Sequence, residues 1–227
     1  MDHTYETMVV EWPDGTYTRG IDPTSWDTKD LIKHEALLAT RVDDARFVLT
    51  QLGNIDIVKQ LVPDATIVFD TNRAAIFGHS FGGATAISAL MKDGRFKGAL
   101  NMDGSQYGPL SKTVLPVVLF GRGEPDPRNR SNNPTWDTLC HHLTGWLKEI
   151  NLKECAHNTF SDLPLLIKLS GIEVKGFAKE MVGRLDGERS FGVIMACIRA
   201  FMGFVLKDEG AELYNGPSDE YAEIEFG

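Results

Sequence analysis

Cationic side chains are in short supply in this sequence: 23 lysines and arginines stand against 32 aspartates and glutamates, a formal net charge of −9. No local run of lysine and arginine compensates. A protein that neutralises nucleic-acid phosphates needs such a run, so nucleic acid is excluded as a partner. Cysteine is scarce too. The three present, Cys140, Cys155 and Cys197, cannot all pair within one chain and fall at no metal-ligand spacing. They predict reduced thiols, a reducing and hence cytoplasmic setting, and no metal. A secretory leader is not expected from Met1-Asp2-His3-Thr4-Tyr5-Glu6, which is polar where a signal peptide needs a basic end followed by an apolar stretch. No uninterrupted apolar run is long enough to span a bilayer; the richest, Phe191 to Leu206, is broken by Arg199 and reads as a buried helix. Internal repeats and low-complexity linkers are missing as well. With 42% apolar content, residues 1–227 are expected to form a single domain with a sizeable core.

What is present is an alternation of strands and helices. Met8 to Trp12 and Thr16 to Thr18 flank Pro13-Asp14-Gly15, a short hairpin. From Asp30 to Leu52, apolar residues at three- and four-residue steps mark one face of a long helix, and a second helix covers Ile55 to Leu61 before Pro63. Ala74 to Phe77 then reads as a strand, Ala84 to Met91 as a helix, and Lys97 to Met102 and Val114 to Phe120 as strands. The spacing of Leu139, Leu143, Trp146 and Leu147 predicts a helix over Thr135 to Ile150, and Asn151 to Ala156 a final strand. A long loop leads to the Phe191–Leu206 helix, and a polar tail follows. The pattern implies a mostly parallel sheet with helices on both faces and chemistry at the carboxyl ends of the strands.

Chemistry concentrates at Gly78-His79-Ser80-Phe81-Gly82-Gly83, a glycine-rich turn between a strand and a helix. A serine hydroxyl is a weak nucleophile unless a constrained turn exposes it beside a general base and backbone donors. Ser80 sits where an α/β-hydrolase fold presents its nucleophile, with the Phe81 N–H at the helix start aimed at a developing oxyanion. Glycines 78 and 82 are expected to leave room for the close approach of strand and helix. Of six histidines, His157 follows the last expected strand and is the base; His79 points away from the Ser80 side chain and packs. His141 and His142 are adjacent in an expected helix, face different directions and cannot share a metal. The acid that orients the base has two candidates at strand ends, Asp103 and Asp126, and spacing does not choose between them.

These segments resemble the platelet-activating factor acetylhydrolase-like (lipoprotein-associated phospholipase A2-like) serine esterases. Gly78 to Thr85 resembles the family's nucleophile run, and Asn101-Met102-Asp103-Gly104 its acid strand end. His157-Asn158-Thr159-Phe160-Ser161-Asp162 resembles the family's base loop, and Gly216-Pro217-Ser218 with the tail Tyr221 to Phe226 the ending of microbial and fungal members. The resemblance implies Ser80 as nucleophile, His157 as base, Asp103 rather than Asp126 as orienter, Phe81 as one oxyanion donor, and no cofactor. It implies short acyl or acetyl esters, phospholipid-like ones included, as substrates.

In the family, Asp2-His3-Thr4-Tyr5 matches the end of a strand that several others precede, together with the loop carrying the second oxyanion donor. The expected architecture is therefore an N-terminally truncated α/β-hydrolase with about four parallel strands and an unpaired edge on the nucleophile strand. A homo-oligomer or a partner chain is expected to cover that edge. The alternative functions are a non-hydrolytic use of the same pocket, as a cyclase or acyl transferase, and a pseudoenzyme kept as an interaction subunit.

Overall fold

The structure, a computed structural model, describes residues 9–19, 31–171 and 175–227. Asp2-His3-Thr4-Tyr5, Met8 and Asp30 lie outside the described residues. The expected hairpin consists of Val9–Glu11 (β1) and Tyr17–Arg19 (β2), paired antiparallel. Asp14 Oδ1 makes the turn by accepting the Thr16 N–H at 2.9 Å and its hydroxyl at 2.6 Å, and Gly15 takes the positive φ of 81°. Helices α1 (Leu31–Gln51) and α2 (Ile55–Leu61) fall where periodicity put them. Asn54 caps α2, its side chain accepting the Asp56 N–H.

The main sheet has the order β3-β4-β5-β6-β7, with β3 (Ala74–His79), β4 (Phe96–Met102), β5 (Val117–Arg122) and β6 (Leu147–Leu152) parallel and β7 (Ile224–Phe226) antiparallel at the far edge. Alternate residues of each central strand feed two cores, because successive side chains point to opposite faces. On one face Leu100, Val118, Phe120 and Ile150 pack under the long C-terminal helix through its Val193, Cys197 and Phe201. On the other, Ala99, Val117 and Leu119 pack with Leu38 and Val42 of α1, Ile87 of α3 (Phe81–Lys92) and Trp136 of α4 (Pro134–Cys140). Both faces being covered explains why β4 and β5 are buried along nearly their whole length. Among the described residues no strand pairs with the outer edge of β3, whose Phe77 is exposed.

Five expectations need correction. The helix predicted over Thr135–Ile150 ends at Cys140, and the strand predicted over Asn151–Ala156 lies earlier, at Leu147–Leu152 (β6), sharing only Asn151 and Leu152 with the expectation. The helical spacing is coincidental: Leu139, Leu143 and Leu147 belong to the α1–α3 face, whereas Trp146 packs on the opposite face, 4.7 Å from Phe204 between ring centroids. Past the helix end, an added Cβ at Gly145 would lie 1.9 Å from the Val114 carbonyl oxygen. The chain crosses there beside the bridge between Thr113 and Leu143. Val114 itself is exposed, and β5 starts only at Val117. The loop expected before the last helix contains α5 (Leu163–Ser170) and α6 (Phe177–Val182), and the polar tail supplies β7.

The last helix, α7 (Gly187–Lys207), is longer than expected at both ends and is capped by Asp186, which accepts the Glu188 and Arg189 N–H groups. Among the described residues, Lys179–Lys207 is one stretch long and apolar enough to cross a membrane by length and composition. It is interrupted between α6 and α7, and α7 buries Val193, Cys197, Ile198, Phe201 and Val205 against the sheet.

Candidate active site

Strands β3 and β4 end side by side, and each runs into a residue with positive φ: Ser80 (φ 56°, ψ −122°) and Asp103 (φ 53°). Both corners continue the ladder. The Ser80 N–H donates to Met102 O at 2.8 Å and the Asp103 N–H to Phe120 O at 2.9 Å. Such backbone is unfavourable for a residue with a Cβ and persists only where its surroundings impose it. Here the surroundings are glycines: a Cβ on Gly78 would lie 2.3 Å from Gly82 O, on Gly83 2.1 Å from Asn101 Oδ1, and on Gly104 2.0 Å from Ser80 O. Gly82 differs from expectation, because a Cβ there would meet nothing within 4 Å; its backbone, not its missing side chain, is what Gly78 accommodates. Buried Asn101 ties the second corner by accepting the Gly104 N–H (2.8 Å) and donating to Gly104 O (3.0 Å), which also accepts from Trp136 Nε1 (2.7 Å).

His157 opens a 3-10 turn, His157–Phe160, beyond the end of β6. The turn is fastened on both sides: Cys155 O accepts from the N–H groups of Gly123 and Glu124, and Thr159 Oγ1 accepts from Ala156 N–H and donates to Val182 O. The imidazole then reaches both corners. Nε2 is 2.9 Å from Ser80 Oγ, and Nδ1 is 2.5 Å from Asp103 Oδ2. With the proton on Nδ1, the ring donates to the carboxylate and accepts from the serine hydroxyl, the arrangement that makes the hydroxyl a nucleophile. The Asp103 side chain is fully buried while the His157 side chain is 41% exposed, so the imidazole faces the solvent side and the carboxylate does not.

Charge around Asp103 is dense. Arg122 donates to it from its backbone N–H (3.2 Å) and from Nη1 (3.2 and 3.1 Å to the two oxygens). Arg128 Nε is 2.7 Å from Oδ1 without pointing its hydrogen along that line, an ion pair rather than a directed hydrogen bond. Burial alone would raise the Asp103 pKa. The His157 hydrogen bond and the charges of Arg128 and Arg122 outweigh it, holding the carboxyl below its ordinary value. His79 is on the inner side of the base, 4.5 Å from the His157 ring and 6.0 Å from Phe160 between centroids. Burial, then the neighbouring His157, push its pKa down to about 4 against the opposing pull of Asp103. It is a neutral packing residue, as its place in the motif suggested.

Ser80, His157 and Asp103 are thus brought together, and Phe81 starts α3 directly after the serine. Asp126 is not part of the group: it is exposed on the loop after β5, and the His157 nitrogen it would orient is bonded to Asp103. His141 and His142 lie just past the end of α4, with their Nδ1 atoms turned back to the Asp137 and Thr138 carbonyls. Sequence reasoning missed Arg122, Arg128, Asn101 and Trp136. The first two stand in Gly121-Arg122-Gly123-Glu124-Pro125-Asp126-Pro127-Arg128, whose turn formers invited attention to its acid rather than its arginines.

A family model described as platelet-activating factor acetylhydrolase, isoform II, matches residues 65–215. The chain belongs to this family. The matched span of the acetylhydrolase family holds Ser80, Asp103 and His157. A curated family relative from Arthroderma benhamiae, described as a "probable 1-alkyl-2-acetylglycerophosphocholine esterase", is 34% identical over 244 aligned positions, covering 100% of this chain and 57% of the relative. The structure of a ferulic acid esterase from Streptomyces cinnamoneus superposes with a TM-score of 0.79 at 27% identity, covering 99% of this chain and 63% of that one. This chain therefore spans a little over half the length of the curated relative it matches. The fold is that of the α/β-hydrolases, mostly parallel and flanked by helices, as the sequence implied.

Proposed function

We propose that this chain hydrolyses carboxylic esters through an acyl-enzyme on Ser80. The observation that carries the proposal is the continuous contact Ser80 Oγ–His157 Nε2–Asp103 at 2.9 and 2.5 Å. In the first half-reaction Ser80 Oγ attacks the ester carbonyl as His157 Nε2 takes its proton. The carbonyl oxygen becomes an oxyanion facing the Phe81 N–H at the start of α3. Collapse breaks the bond to the leaving alcohol, which receives the proton from Nε2. Water then repeats the sequence on the acyl-serine, releasing the acid. Asp103 stays ionised throughout and holds the tautomer with the proton on Nδ1.

The substrate class follows from the relatives' names, an acetylglycerophosphocholine esterase and a ferulic acid esterase, which share an ester of a carboxylic acid with an alcohol. Within that class we propose acetyl and other short acyl esters, after the curated relative. The test is labelling of the folded protein with a fluorophosphonate, with hydrolysis of a p-nitrophenyl ester series from acetate to octanoate. The expected result is one adduct, on Ser80, and turnover that disappears in Ser80→Ala. Product formation that persists in Ser80→Ala would point instead to the cyclase or transferase reading.

A further inference from the structure

Asp103 carries more counter-charge than one imidazole requires. An ionised carboxylate has about four acceptor sites. Those of Asp103 face His157 Nδ1, the Arg122 N–H, Arg122 Nη1 and Arg128 Nε, so one negative charge stands against two guanidinium charges. Both arginines are built in. The Arg122 carbonyl accepts from the Arg128 N–H (2.9 Å) and from Asn151 Nδ2 (2.8 Å), and Asn151 Nδ2 also donates to the Arg128 carbonyl (2.8 Å). The Arg128 guanidinium donates from Nη1 to Ser105 Oγ (2.9 Å) and lies 5.9 Å from the centre of the Trp136 ring. The two side chains are only 22% and 13% exposed, so solvent screens them weakly.

We propose that Arg122 and Arg128 are positioning residues that act through Asp103, sharing its charge with His157 and so extending the working range of the site toward lower pH. The inference rests on the Ser80–His157–Asp103 reading above. A lone carboxylate stabilises a proton on the ring it orients; guanidinium charge behind the carboxylate cancels part of that pull. The charged and titratable groups in contact with the His157 ring, or with the carboxylate it binds, are Asp103 at the end of β4 and His79 at the end of β3 for the ring, and Arg122 at the end of β5 and Arg128 from the loop behind it for the carboxylate. His79 is uncharged over most of the range. The arginines therefore set how much of the Asp103 charge the ring experiences. Removing one unit charge a few ångströms behind the carboxylate shifts the ring's protonation by about one pH unit at the effective dielectric of a protein interior.

The experiment follows the rate of fluorophosphonate labelling of Ser80 against pH, which needs the base neutral and needs no knowledge of the natural ester. In Arg128→Met and Arg122→Met the acid limb is expected to move up by about one pH unit, while Arg128→Lys and Arg122→Lys keep the wild-type limb. A role confined to packing would lower the labelled fraction without moving the limb. Folded Met variants with an unmoved limb overturn the proposal, as do Lys variants shifted as far as Met. If Arg128→Met does not fold, Arg122→Met, whose side chain is the more exposed, reads the same shift. A wild-type protein that takes no label on Ser80 would bring down the catalytic reading itself, an outcome distinct from labelling with unmoved limbs.

Discussion

Lowering the pH from 7 to 5 should destabilise this protein through His79. The ring is half-buried against His157 and Phe160, its Nε2 is buried without a hydrogen-bond partner, and its pKa falls from 6.5 to about 4. Below pH 6.5 the unfolded chain takes up a proton that the folded ring refuses, so the unfolded state binds more protons and stability falls as the pH falls. The contribution is fully present above pH 6.5 and is lost progressively on the way to pH 4. The whole linkage is about 3 kcal/mol, of which about 2 kcal/mol is lost between pH 7 and pH 5. Urea titrations at the two pH values measure it, compared with His79→Asn, which is polar and smaller than the ring and cannot titrate. The variant should show a pH dependence flatter by about 2 kcal/mol over this interval. Equal dependence in the two proteins would mean that the His79 ring accepts its proton in the folded state, and the reasoning would be wrong. Asp93, held low mainly by Arg95, gives up its contribution only at lower pH and does not blur the window.

The acid assignment can be tested by paired substitution. Asp103→Asn should cut turnover by roughly four orders of magnitude, because the amide donates to Nδ1 and favours the wrong tautomer, whereas Asp126→Asn, on an exposed loop, should change it by no more than about twofold. Gly104→Ala places a Cβ 2.0 Å from the Ser80 carbonyl oxygen and 2.8 Å from Asn101 Oδ1. Displacing the nucleophile by about 1 Å should cost on the order of a hundredfold in rate. The same overpacking should lower stability by about 1–3 kcal/mol, read by thermal unfolding. Gly82→Ala, with open space around its Cβ, should melt no lower than the parent.

The strand–turn–helix around Ser80 was legible because its signals are local: an apolar strand, a glycine-rich corner and a helix of small residues follow one another within about twenty positions. His157 was legible from its place after a strand, even though that strand was put several residues too late. The error over Thr135–Ile150 arose because Leu139, Leu143 and Leu147 do share one face of the sheet, but as parts of a helix, a bridge and a strand. Periodicity reports a shared face and not the element that supplies it. Lys148 and Glu149 hid β6 further, since Glu149 is taken into the fold by an ion pair with Arg130 at 3.1 Å. The choice between Asp103 and Asp126 could not be read from spacing, because it depends on β4 and β5 ending beside each other. Arg122 and Arg128 were invisible for the same reason: their partner is 19 and 25 residues away in sequence and adjacent only in the sheet.

The two corner residues have an evolutionary consequence. Ser80 and Asp103 both occupy backbone conformations that cost of order 1–3 kcal/mol for a residue with a side chain and little for glycine. Drift toward glycine at position 80 would make the fold more robust while erasing its chemistry, whereas at position 103 the loss of the carboxylate would leave Arg122 and Arg128 without their counter-charge. Selection for stability alone would therefore erode this site. A descendant selected for stability alone should show the change at position 80, as a gain in melting temperature.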